Sequence, residues 1–156
     1  MGTTGGPDGA LTGVFTEKAY HDAILLVNDT VGYLETRGIV DRESLDALGR
    51  TAFAAESMRL TTRLMQVVSW FMVQRAVMNG ELSKAEANEP ERRLSAIDIC
   101  LDDGMKGSET LPQEMQALLS RSRSLFEQVW HVEEMLLRAP GEGESPVHNL
   151  LNRLDH

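Results

Sequence analysis

The chain has 156 residues and a net charge of −9, with 5% aromatics, eight methionines and a single cysteine. That length fits one domain with tails. The acidity argues against general nucleic-acid binding and against an anionic membrane surface, since both rest on clustered Lys and Arg. Cys100 alone excludes an internal disulfide framework and fits a reducing cytoplasm. The longest uncharged run, Leu64 to Gln74, is eleven residues, where a membrane span needs about 20. Met1 to Gly13 has neither the basic start nor the apolar run of a signal peptide. An acidic cytoplasmic protein is expected, with an aliphatic core in which methionine fills gaps.

Taken in order, residues 1–13 read as a disordered N-terminal tail, 14–138 as a helical bundle domain and 139–156 as a flexible C-terminal tail. A first helix is expected from Thr16–Glu17 to Arg37, with Tyr20, Ala23, Ile24, Val27, Val31 and Leu34 on one face. Gly38 would stop it. The short connection to Glu43 would turn the chain back antiparallel. Ser44 would then cap a long central helix ending at Asn79-Gly80. At 1.5 Å per residue that window is about 54 Å long.

Phe53, Ser57, Leu60, Leu64, Val67, Phe71, Gln74 and Met78 form a heptad seam in the central helix. Ala54, Met58, Met65, Val68, Met72 and Ala76 form a second apolar stripe beside it. A rod apolar on two sides has more surface than two helices cover, which predicts a homodimer. Ser83-Lys84-Ala85-Glu86 has the pattern of a capping box. Pro90 should interrupt that helix, and Glu91 to Cys100 would resume it with Leu94, Ile97 and Leu101 inward. Asp102 to Thr110 reads as a polar loop.

Pro112 opens a last helix to about Arg138. Leu111, Met115, Leu118, Ser122, Leu125, Val129, Val132 and Leu136 form its seam. The fold expectation is therefore all-α: an antiparallel three-helix bundle with a long central helix and a short helix or loop between helices two and three. Ala139 to Ser145 reads as a linker. Beyond it, Val147, Leu150, Leu151 and Leu154 make an amphipathic stripe too short to be stable alone. It either folds back on the bundle or serves as a linear motif for a partner.

Catalytic patterns are sparse. Glu127, His131 and Glu134 share one helix, but di-metal bundles draw ligands from four helices. Asp102-Asp103-Gly104 lacks the alternating oxygens and distal Glu of a calcium loop. Cys100 has no histidine motif to activate it and reads as a buried thiol. No P-loop, GxGxxG, GxSxG or HExxH occurs. No cofactor is expected, and the reading is not an enzyme; a small helical metal-dependent enzyme and a helical scaffold are the alternatives. Arg59 and Arg63, four apart, share a face with Thr62 and Gln66 nearby. Either they pair with acidic neighbours or they form a docking face for an acidic partner.

The run Glu56-Ser57-Met58-Arg59-Leu60-Thr61-Thr62-Arg63-Leu64-Met65-Gln66, with Ser69-Trp70 and Gln74-Arg75-Ala76-Val77 following, resembles the RcdA family, regulators of CtrA degradation. The resemblance covers residues 16–138 and implies a dimeric three-helix bundle without enzymatic activity. It implies an adaptor in cell-cycle proteolysis, transiently at a cell pole. Such an adaptor binds a ClpXP protease (a ClpX-type AAA+ unfoldase) primed by a response-regulator-like adaptor. It then tethers cargo such as transcription factors, or a further adaptor. Family positions carry over at Glu56, Arg59, Thr62, Arg63, Gln66, Trp70, Gln74 and Arg75. Together with Val147, Leu150, Leu151 and Leu154, the residues Glu56, Arg59, Thr62, Arg63, Gln66 and Arg75 are the candidate protein-interaction positions.

Overall fold

The computed structural model describes residues 7–138. Six α-helices make it up: α1 (Pro7–Glu35), α2 (Arg37–Glu43), α3 (Ala47–Met78), α4 (Lys84–Ala87), α5 (Ile97–Leu101) and α6 (Gln113–Arg138). Single 3₁₀ turns lie at Pro90–Arg92 and Ser108–Thr110. Among the described residues there is no strand. The central helix α3 has 32 residues, about 48 Å. No described helix is long and apolar enough to cross a membrane.

Several boundaries differ from the sequence reading. Helix α1 starts at Pro7, inside the stretch expected to be a disordered tail. Proline suits the first helical position because its missing N–H has no partner there. Gly38 does not end a helix; it lies buried inside α2, where a Cβ would come within 2.8 Å of the Tyr33 carbonyl oxygen. The break falls at Thr36 instead, with φ −125° and ψ −94°. The cap of α3 is Asp46 rather than Ser44: its carboxylate accepts from the Gly49 N–H at 2.7 Å. Ser44 Oγ donates back to the carbonyls of Val40 and Asp41, closing α2. The Ser83–Glu86 capping box is present, with both hydrogen bonds made.

The three long helices all touch one another. Side-chain pairings give their directions. Along α1 and α3, Glu17 meets Arg75, Tyr20 stacks edge-on to Phe71 at 6.1 Å, and Tyr33 lies 6.5 Å from Phe53, so this pair runs antiparallel. Asp29 on α1 pairs with Arg121 and Arg37 at the start of α2 with Glu114, so α1 and α6 are antiparallel too. Helix α6 therefore runs parallel to α3: Ser122 lies at Arg63, and Glu133 at Trp70. An antiparallel bundle throughout is not what forms, and three mutually touching helices cannot all be antiparallel. The parallel pair demands a return path, and residues 79–112 provide it as a crossover along the α3–α6 groove.

Both predicted seams face the core except at the C-terminal end of α3, where Gln74 is half-buried and Met78 exposed. Phe53, Leu60, Leu64, Val67 and Phe71 of α3 meet Met115, Leu118, Leu125, Phe126 and Val129 of α6, all buried. Each such side chain contributes about 1.5–3 kcal/mol by leaving water.

Candidate interaction surface

The residues that carry the sequence resemblance lie where the crossover descends along α3. Gln66, Arg63, Arg59 and Glu56 are spaced by threes and fours, so they share one side of the helix. Each binds the crossover. Gln66 Oε1 accepts from the Ser95 N–H at 2.9 Å. Arg63 donates to the Cys100 carbonyl at 2.7 Å, and to the Leu119 carbonyl and Ser122 Oγ at 3.2 Å each. Arg59 Nε donates to the Ile99 carbonyl at 3.0 Å, and its guanidinium pairs with Glu56 and Asp102. Glu56 Oε1 accepts from the Met105 N–H and Ser108 Oγ.

Ile99 and Cys100 belong to the single turn of α5, whose last carbonyls have no partner within so short a helix. The two arginines supply those donors, and their charge suits the negative end of the turn. Burial follows from this role. Arg63 and Glu56 are each 3% exposed. The Arg63 pKa is pulled below its ordinary range by burial, then by the neighbouring Arg59. Burial pushes the Cys100 thiol up, so it stays protonated. Of the two readings of the arginine pair, that of acidic neighbours describes Arg59, which pairs with Glu56 and Asp102, while crossover carbonyls take further donors of both arginines.

The other candidates are placed variously. The half-buried Thr62 donates its hydroxyl to Met58 O of its own helix. Arg75 is exposed, 4.8 Å over the Tyr20 ring and paired with Glu17, fastening α1 to α3. Glu127 pairs with Arg123 and Glu134 with Arg138, while His131 lies beside the Trp130 ring. Among the described residues no cluster of three His, Cys, Asp or Glu could hold a metal. Val147, Leu150, Leu151 and Leu154 lie outside the described residues.

Glu133 was not anticipated. It is 7% exposed on α6 and accepts from the Leu94 N–H at 2.9 Å and from the Trp70 side chain. Burial raises its pKa against the pull of those two bonds. Its place in the sequence, a Glu beside Glu134 on a polar-looking stretch, does not mark it as inward.

The opposite side of α3 is bare. Met58, Met65 and Met72, seven apart, are 73%, 65% and 60% exposed. With the exposed Ala54 and Thr61, and with Val68 half-buried against the core at its edge, they step by fours and threes, the spacing of a helix-packing seam. The charged residues of α3 between Ala54 and Met72 are Glu56, Arg59 and Arg63, and all three turn to the crossover. An uncharged helix face of this length suits a protein contact more than bulk water.

The family model described as "Protein of unknown function (DUF1465)" matches residues 10–156, the C-terminal segment included. The crystal structure of RcdA from Caulobacter crescentus CB15 is similar at 34% identity, with a TM-score of 0.63, over 78% of this chain and 89% of that one. The chain belongs to the RcdA family. No curated protein matches it. In this RcdA-family chain, four of the eight positions that carry the resemblance, Glu56, Arg59, Arg63 and Gln66, hold the crossover to α3.

Proposed function

We propose that the chain is a noncatalytic adaptor in cell-cycle proteolysis, tethering cargo such as transcription factors, or a further adaptor, to a primed ClpXP protease. The observation that carries this reading is the 34% identity to RcdA over 89% of the RcdA chain. Tethering works by surfaces rather than by reacting groups. Binding protease and cargo together makes delivery intramolecular, at about millimolar effective concentration for short linkers, so individually weak contacts suffice.

Under this reading the three long helices and their crossover act as one bundle, in the cytoplasm and transiently at a cell pole. The chain works as a homodimer. Thr62, Gln66 and Arg75 reach the surface and contact partners directly. Glu56, Arg59 and Arg63 act by holding the crossover whose outer surface partners meet. Val147, Leu150, Leu151 and Leu154 form the tail motif.

The test is reconstitution: primed ClpXP with a candidate cell-cycle transcription factor, with and without this chain. Cargo should disappear faster in its presence while the chain itself persists. A rate unchanged across cargoes from the native cytosol, or consumption of the chain in step with cargo, overturns the reading in favour of a scaffold without a protease link.

A further inference from the structure

We infer that the C-terminal half of the bare α3 face is the docking site of the chain's own segment Val147–Leu154. Three observations on the molecule lead there. The first is direction. Because α6 runs parallel to α3, with Glu133 at Trp70, the chain leaves Arg138 about level with Arg75, at the end of α3 that carries Met65 and Met72.

The second is reach. Eight residues, 139–146, separate α6 from Val147, and they span up to about 26 Å when extended. Helix axes pack roughly 8–10 Å apart, so a linker passing around α3 to its far side follows an arc of roughly 25 Å. The segment reaches the face with its linker nearly extended.

The third is register. Val147, Leu150, Leu151 and Leu154 occupy helical positions i, i+3, i+4 and i+7, a stripe about 10 Å long. Met65 to Met72 covers the same seven-residue span, edged by Val68, which is half-buried against the core. Running back from Met72 towards Met65, the segment sets four branched side chains against flexible thioethers, which adapt to irregular neighbours. Between Met65 and Met72 α3 carries no charged residue; Arg75, one turn beyond, is exposed and paired with Glu17.

A segment this short forms no stable helix alone, but it is tethered. At about millimolar effective concentration, a contact with a bimolecular Kd of about 0.1 mM is occupied roughly nine-tenths of the time. Docking in cis therefore shields the methionines and at the same time withholds the tail from other partners.

The test uses the intact chain and methionine oxidation by dilute peroxide, read peptide by peptide by mass spectrometry. Wild type is compared with the double substitution Leu150→Asp plus Leu151→Asp; far-UV circular dichroism checks that the helices persist. Met65 and Met72 should oxidise at least about threefold more slowly in wild type than in the variant, as an intramolecular contact requires. The ratio should not change on twentyfold dilution, and Met58, a further two turns away, should be unaffected. Equal rates in the two proteins overturn the inference. Protection that disappears on dilution assigns the face to a second copy instead, and protection kept by the variant assigns it to another segment.

Discussion

Arg63 shows how one side chain serves the fold when its charge suggests a docking role. Its guanidinium reaches the Cys100 and Leu119 carbonyls and the Ser122 hydroxyl from a site 3% exposed. Arg63→Ala leaves buried acceptors without donors, and hydrogen bonds to charged groups are worth about 1.5–3 kcal/mol each way. We expect a loss of about 3 kcal/mol in urea unfolding, with faster hydrogen exchange in residues 97–101. An unchanged midpoint would mean that water replaces the guanidinium. Arg59→Ala should cost less, since Arg59 lies closer to solvent, its side chain 13% exposed. Glu133 gives a pH signature. Its raised pKa means that the folded state binds more protons than the unfolded chain above the ordinary carboxyl value, about 4.3. Its contribution to stability is therefore lost as pH climbs from that value through the raised one. Glu133→Gln keeps an oxygen for the Leu94 N–H and carries no charge to desolvate. Its urea midpoint relative to wild type should rise through that window and level off above it; a flat difference would show that the two hydrogen bonds fully offset burial.

At the scale of elements, local chemistry made some boundaries readable and tertiary contact hid others. The Ser83–Glu86 box, the end of α3 at Asn79-Gly80 and the run of α6 all follow from neighbours within four residues. Gly38 misled because its smallness serves close approach to the Tyr33 carbonyl rather than a left-handed turn. The helix expected over Glu91–Cys100 is only the turn Ile97–Leu101, preceded by Ala96 at φ 53° and by the Ser95 N–H bonded to Gln66 of α3, which no local pattern announces. The arginine spacing was legible as one face, but whether that face meets solvent or a returning chain depends on residues about 40 positions away. Asp46 is the testable cap. Asp46→Ala should cost about 1 kcal/mol, the usual value of a lost N-cap, with hydrogen exchange at the Gly49 amide rising first. If Gly49 stays as protected, the first turn of α3 is held by packing rather than by its cap.

For the whole molecule, the helical class and both seams could be read from periodicity, but not the parallel sense of α3 and α6, which no residue spacing encodes. The bare methionine face likewise could be read as surplus apolar surface, without its owner. The proposed homodimer is tested directly by light scattering at micromolar concentration, where the mass should be twice the 17.3 kDa of one chain. A single-chain mass removes the dimer. It leaves the oxidation test of the tail standing, because that contact is intramolecular.

The crossover also orders events in time. Helices α1 and α3 are neighbours in sequence and can pair as soon as both have been synthesised, whereas α6 joins them last, after residues 79–112 have passed. At about 5–20 residues per second, the ribosome then holds an unfinished hairpin for a few seconds. Through that interval Leu60, Val67 and Phe71, which end buried, lack the α6 side chains that will cover them. Until its final helix arrives, a protein proposed to deliver others for destruction displays the same apolar stretches by which unfolded chains are caught.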